Sequence, residues 1–468
     1  MKNLRKAFGA IALSSCMVLP ALAGTDAPTT DAKDQKDLKK VIEDQGINYV
    51  ETAQKGITLS GYVDTSYTYQ FAGAGEYGGA AFGGTNTQGQ LRQFDVNNNN
   101  FNINAVKIAL EKALPDKNEW AAGFRIDTMY GQDATILAGS DPSTSSAGLY
   151  LEQALVKFRI PVGNGLDIYM GKFVTFLGYE VIESPANLNF SRGLLFTNAI
   201  PLTNTGIYAD YKFNSTVEAK LGIADGWNSS ISPSTTTTAS GGPYGTNNDA
   251  SSFGKAITGQ VNVNAPGNNA NITTSFIYSP DGEPGNLGGL PTSTTTLVSE
   301  DNGPVAVGDI WGNWNPTFVK DSALLLGFNA DLGYNGASGD AYSNLEGASA
   351  PGNGPNSIHE DSNTWWGVAL YAQYKFTKVF SLAGRLEYLH EDSAVLPKFG
   401  GNTGGETGAV AATGFQTFST DDYEGTLTAS FNIWDNLLTR IEYRHDVLQL
   451  ANSQVNEDEI SLNAVYSF

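Results

Sequence analysis

Ile460-Ser461-Leu462-Asn463-Ala464-Val465-Tyr466-Ser467-Phe468 closes the chain, and its alternation decides the fold. In an extended strand Ile460, Leu462, Ala464, Tyr466 and Phe468 share one face, while Ser461, Asn463, Val465 and Ser467, mostly small or polar, share the other. As the last strand of a soluble sheet it would leave a free backbone edge, which soluble proteins usually cover. One face on lipid and the other on a lumen accounts for the pattern. A terminal aromatic after Tyr466 also resembles the sorting signal that the barrel-assembly machinery reads, carried here by Tyr466 and Phe468.

The same polarity of faces recurs upstream. Ile57, Leu59, Val63, Tyr67, Tyr69 and Phe71 alternate with Thr58, Ser60, Asp64, Ser66, Thr68 and Gln70. Trp366, Val368, Leu370, Ala372, Tyr374 and Phe376 face away from Gly367, Tyr371, Gln373 and Lys375. Phe380, Leu382, Leu386 and Tyr388 oppose Ser381, Arg385 and Glu387, and Leu437, Ile441 and Tyr443 oppose Arg440, Glu442 and Arg444. A sandwich would alternate in the same way, so the connections decide. Short turns near Pro115-Asp116-Lys117, Val162-Gly163-Asn164, Asn214-Ser215, Ala265 to Ala270, Asn315-Pro316, Thr377-Lys378 and Trp434-Asp435-Asn436 interleave with long polar segments. The long ones fall at about 72–99, 132–148, 173–203, 226–252, 279–304, 335–362, 392–420 and 450–457. This rhythm predicts an all-β fold: a transmembrane antiparallel β-barrel of about 16 strands over 56–468, with long extracellular loops and short periplasmic turns. Aromatics such as Trp120, Tyr374, Phe376, Tyr388 and Phe431 gather near strand ends, as interfacial girdles do.

Composition agrees. Only 41% of residues are apolar, and beyond the N-terminus no apolar run approaches the roughly 20 residues of a membrane-spanning helix. Residues 1–23 carry Lys2, Arg5 and Lys6, an apolar core from Ala7 to Leu19 and a small-residue end at Ala21-Leu22-Ala23, the three parts of a secretory signal peptide. Export to the outer membrane of a Gram-negative-type bacterium follows. Cleavage there would remove the single cysteine, Cys16, and take the net charge from −21 to −24, since the three basic residues go and no acidic one does. Such acidity argues against a nucleic-acid partner. Residues 24–55 precede the first strand, and Leu38, Val41 and Ile42 at helical spacing predict a short helix, read as a periplasmic linker in preference to a peg in the lumen.

Catalysis needs a nucleophile, a base and an orienting group, or a metal site with ligand spacing. His359, His390 and His445 are scattered, and neither a catalytic set nor a metal or cofactor site is expected. Charged groups inside a pore act at close range across a narrow lumen. The lumen-facing parity picks out Arg125 and Asp127, Lys157 and Arg159, Glu218 and Lys220, Arg385 and Glu387, and Arg440, Glu442 and Arg444.

The third long connection differs from the Gly-, Ser- and Asn-rich others. It carries Tyr179, Ile182, Phe190, Leu194, Leu195 and Phe196, which seek burial. Packed inside the barrel it would narrow the channel and bring Tyr179, Glu180, Glu183 and Arg192 to the aperture. The run Gly171-Lys172-Phe173, then Gly178-Tyr179-Glu180-Val181-Ile182-Glu183-Ser184-Pro185, then Ser191-Arg192 and Leu195-Phe196, resembles the OmpL-like β-barrel porins. The likeness continues through Ile200 to Gly206 and, more loosely, across 56–468. It implies an outer-membrane porin, and it transfers no catalytic or ligand position. The expected function is passive diffusion of small hydrophilic solutes and ions through a water-filled barrel narrowed by the third loop. A sugar- or carboxylate-specific channel and a surface barrel acting through its loops are the alternatives. The expected partners are outer-membrane lipids and, through small outward residues such as Gly61 and Gly425, two further copies in a homotrimer.

Overall fold

The computed structural model describes residues 56–72, 92, 94, 97, 99–115, 117–140, 145–146, 148–228, 255–280, 304–335, 363–392, 419–450 and 453–468. Sixteen strands form one closed antiparallel sheet. In chain order they are β1 (Ile57–Ala72), β2 (Asn100–Lys112), β3 (Ala121–Tyr130), β4 (Leu149–Ile160), β5 (Leu166–Val174), β6 (Thr203–Lys212), β7 (Val217–Ala224) and β8 (Ala256–Asn264). They continue as β9 (Ala270–Ser279), β10 (Val305–Trp314), β11 (Leu324–Asn335), β12 (Asn363–Lys375), β13 (Phe380–Glu391), β14 (Thr420–Trp434), β15 (Leu437–Leu450) and β16 (Ser453–Ser467). Each strand pairs with its sequence neighbours, and β16 returns to β1, running from Tyr62 opposite Ser467 to Ala72 opposite Asp458. A two-residue strand, Ser145–Ser146, leans on the start of β4 outside the ring. Among the described residues no helix is long and apolar enough to cross a membrane.

Period two sorts the side chains. Arg385 is 0% exposed and its neighbour Leu386 63%; Arg440 is 2% exposed and Ile441 50%. A water-soluble barrel would bury the leucine and expose the arginine, so the outward face is a lipid face. Two aromatic rows bound it. On one side Tyr388 lies 5.1 Å from Trp366 and 5.0 Å from Tyr423, centroid to centroid. On the other, Phe380 stacks 5.3 Å from Phe376 and 5.2 Å from Phe431. These are the girdles of a barrel wall at the two membrane interfaces.

Several connections depart from expectation. Residues 453–457 of the eighth proposed loop are strand, with Leu450 paired to Ser453. Their outward positions, Gln454 and Asn456, are polar because the hairpin continues past the apolar belt, so the lipid pattern is absent while the ladder persists. Within 132–148 a helix, α1 (Gln132–Ser140), replaces the expected polar connector. It buries Ala134 and Leu137 completely and packs against β2, β3 and β4. Arg92 and Phe94 of the first long connection are buried too. Gly61 offers no open groove to a second copy, because the ring of Phe468 already covers it. The proposed signal peptide and the 24–55 helix lie outside the described residues.

Candidate functional site

The inward faces of β13, β14 and β15 carry Arg385 and Glu387, Glu424 and Thr428, and Arg440, Glu442 and Arg444. Successive inward residues on a strand stand two apart, so neighbouring strands place these groups in contact. Arg385 is the centre. Its Nη1 lies 2.6 Å from Glu180 Oε1 and donates to the Ser191 carbonyl at 2.7 Å, while its Nε lies 2.9 Å from Glu424 Oε2. Arg440 donates from Nη1 to the carbonyls of Ser184 (3.0 Å) and Asn189 (3.1 Å), and from Nη2 to Ser184 Oγ (2.6 Å). Arg444 pairs with Asp446 at 2.6 Å.

The segment between β5 and β6 answers with its backbone. The amides of Phe190 and Ser191 donate to the two oxygens of Glu442 (2.6 and 2.9 Å), Gly193 N donates to Glu180 (2.6 Å) and Leu194 N to Glu387 (2.5 Å). Carboxylates thus take up backbone donors that a loop packed away from water must satisfy. The apolar side chains Ile182, Phe190, Leu194, Leu195 and Phe196 are buried beside them.

Farther round the ring, past β16 and β1, Lys107 Nζ on β2 reaches Glu183 Oε1 (2.5 Å), Glu152 Oε1 on β4 (2.8 Å) and Asp127 Oδ2 on β3 (3.2 Å). Burial raises the Glu183 carboxyl, yet attraction to Lys107 and Arg125 holds it below its ordinary value. Arg125 pairs with Asp127 (2.8 Å) and Glu111 (3.4 Å), and Lys157 with Glu111. Arg192 pairs with Asp133 of α1 at 2.9 Å and lies over the Phe94 ring at 4.8 Å. Its charged form is reinforced by Asp133, against burial. Arg92 joins Asp446 (2.5 Å) and Glu424 (3.1 Å).

Tyr179 meets a third stretch of wall. Its ring stacks on Tyr371 of β12 at 4.1 Å and stands edge-on to Trp311 of β10 at 5.9 Å. Its hydroxyl donates to Asn313 (2.8 Å), and its amide to Asn329 of β11 (2.6 Å). Gly327 makes the room: a Cβ there would fall 2.7 Å from the Tyr179 hydroxyl oxygen.

Of the residues singled out from sequence, Glu180, Arg385, Glu387, Arg440 and Glu442 come together, and Glu183, Arg125, Asp127 and Lys157 form a second cluster. Arg192 stands with α1 instead. Lys220 bonds Gln260 at 3.1 Å, Glu218 lies 3.9 Å from Lys212, and Arg159 pairs with Asp167 at 2.6 Å, all apart from both clusters. Lys107, Glu152 and Glu424 were missed although they share the inward parity. Arg92 and Asp133 carried no signal.

Among solved structures, the outer-membrane channel DcaP of Acinetobacter baumannii resembles the chain at 12% identity, covering 88% of this chain and 97% of that one, with a TM-score of 0.52. Salmonella typhi OmpF in complex with daunomycin matches at 9% identity over 88% and 97%, with a TM-score of 0.50. These likenesses show a shared barrel fold. No curated protein matches. The model of the family described as "Putative beta-barrel porin-2, OmpL-like" matches residues 56–468, and the chain belongs to that family of porins.

Proposed function

We propose that the protein is an outer-membrane channel through which small hydrophilic solutes and ions diffuse, with residues 175–202 setting the aperture. The observation that carries the reading is the set of ties from Glu180, Glu183 and residues 184–194 to inward-facing Arg385, Glu387, Arg440, Glu442 and Lys107. A segment tied at so many points of the inner wall occupies the cross-section, and the wall charges bias what passes beside it. The outward apolar face seats the barrel in outer-membrane lipids, the strand ending at Tyr466 and Phe468 serves the barrel-assembly machinery, and residues 1–23 direct export. The protein acts without catalysis.

Single-channel recording in a planar bilayer tests this, with the wild type beside a variant whose residues 179–192 are replaced by a Gly/Ser linker. A rise in conductance is expected; equal conductance would reject the aperture role.

A further inference from the structure

We propose that the inner wall at Asp309 and Trp311 is a binding site for solutes that carry an ammonium group beside an oxygen acceptor. The inference rests on the channel reading above and names a solute class for it.

Asp309 and Trp311 stand two apart on the inward face of β10 and are 4% and 6% exposed. Asp309 Oδ2 accepts from Asn329 Nδ2 at 3.0 Å, the Gly178 amide and the Asp331 carboxyl stand beside the group, and its Oδ1 is buried without a partner. Among the described residues no basic side chain pairs with Asp309. The indole Nε1 of Trp311 is likewise buried without an acceptor. Each such orphan carries a desolvation penalty that a bound partner would relieve, larger for a carboxylate with no counter-charge. The two needs are complementary: one site lacks a cationic donor, the other an acceptor. A solute with both, such as an amino alcohol, meets them together.

The surroundings favour an organic cation over a bare ion. The aromatic rings of Tyr179, Tyr371 and Trp311 cluster there, and ring faces attract ammonium groups through their quadrupole. Asn329 links the site to the aperture. Its Nδ2 also donates to Asp331 at 3.0 Å, and its Oδ1 accepts from the amide of Tyr179. Occupancy at Asp309 is therefore felt two hydrogen bonds away at Tyr179, on the tip of the third connection.

The test uses ethanolamine hydrochloride as the probe, added to the wild-type channel conducting KCl. The expected result is a saturable fall in conductance, with the affinity lowered at least about tenfold in Asp309→Asn, or about 1.4 kcal/mol, and less in Trp311→Phe. Equal block of the wild type and both variants would overturn the site. A chain that never conducts would sink the channel reading alone. The site would then be decided by thermal unfolding of refolded protein, which ethanolamine should shift upward in the wild type and not in Asp309→Asn. An equal shift from KCl would assign the seat to a bare cation and overturn the ammonium assignment, as would no shift at all.

Discussion

Phe468 and Gly61 exchange both of their backbone hydrogen bonds, from Phe468 N to Gly61 O at 2.9 Å and from Gly61 N to Phe468 O at 3.0 Å. The ring of Phe468 then folds over the glycine, where a Cβ would meet its Cζ at 2.8 Å and the Lys107 carbonyl oxygen at 2.2 Å. Gly61→Ala is expected to lose about 1–3 kcal/mol through overpacking, read as a lower urea midpoint of the refolded barrel. An unchanged midpoint would mean that the seam yields freely.

Arg385 holds Glu180 and Glu424 in a fully buried setting. Arg385→Met leaves Glu180 without a counter-charge and Glu424 with Arg92 alone, and should destabilise by about 3–5 kcal/mol. Glu180→Gln on that background should then cost much less than it does alone. Additive losses in the double-mutant cycle would show that the two residues do not act through each other.

Acid should release the Glu183 tie. A carboxyl depressed in the folded chain adds stability that is fully present above its ordinary value of 4.5 and is lost as the pH falls through the depressed value. Proteolytic cutting within residues 175–202 should therefore rise below pH 4.5 in the wild type. Glu183→Gln should already be cut at neutral pH and respond less to acid. Identical pH profiles for the two proteins would remove Glu183 from the latch.

Tyr179→Ala removes an aromatic stack worth about 0.5–1.5 kcal/mol beyond its buried area, together with the hydroxyl bond to Asn313. Wider scatter among single-channel current levels is expected, because the tip of the connection loses its anchor on β10 and β12. A single unchanged level would place the anchor elsewhere.

The ring itself was legible because each strand obeys period two: Arg385 beside Leu386 or Arg440 beside Ile441 can be sorted without coordinates. Which charges meet was not legible. Glu180 and Arg385 are 205 residues apart, and Arg92 and Asp446 are 354 apart, so their contact depends on curvature that no local pattern encodes. Parity alone could have found Lys107, which sits between Val106 and Ile108 on β2, and Glu424 between Tyr423 and Gly425 on β14. The helix Gln132–Ser140 was hidden because its apolar residues are few, and Asp133 acquires its role only from Arg192.

The ties to the third connection also impose an order on assembly. The segment 175–202 is synthesised well before β13, β14 and β15, yet two of its fasteners, Arg385 and Arg440, lie 194 and 256 residues beyond the atoms that they hold. Contacts of such separation form late, since the chain between them must first be gathered in. Until the last quarter of the wall is in place the segment therefore has only its nearer ties, such as Glu183 to Lys107 and Arg192 to Asp133, and the interior acquires its final arrangement only then.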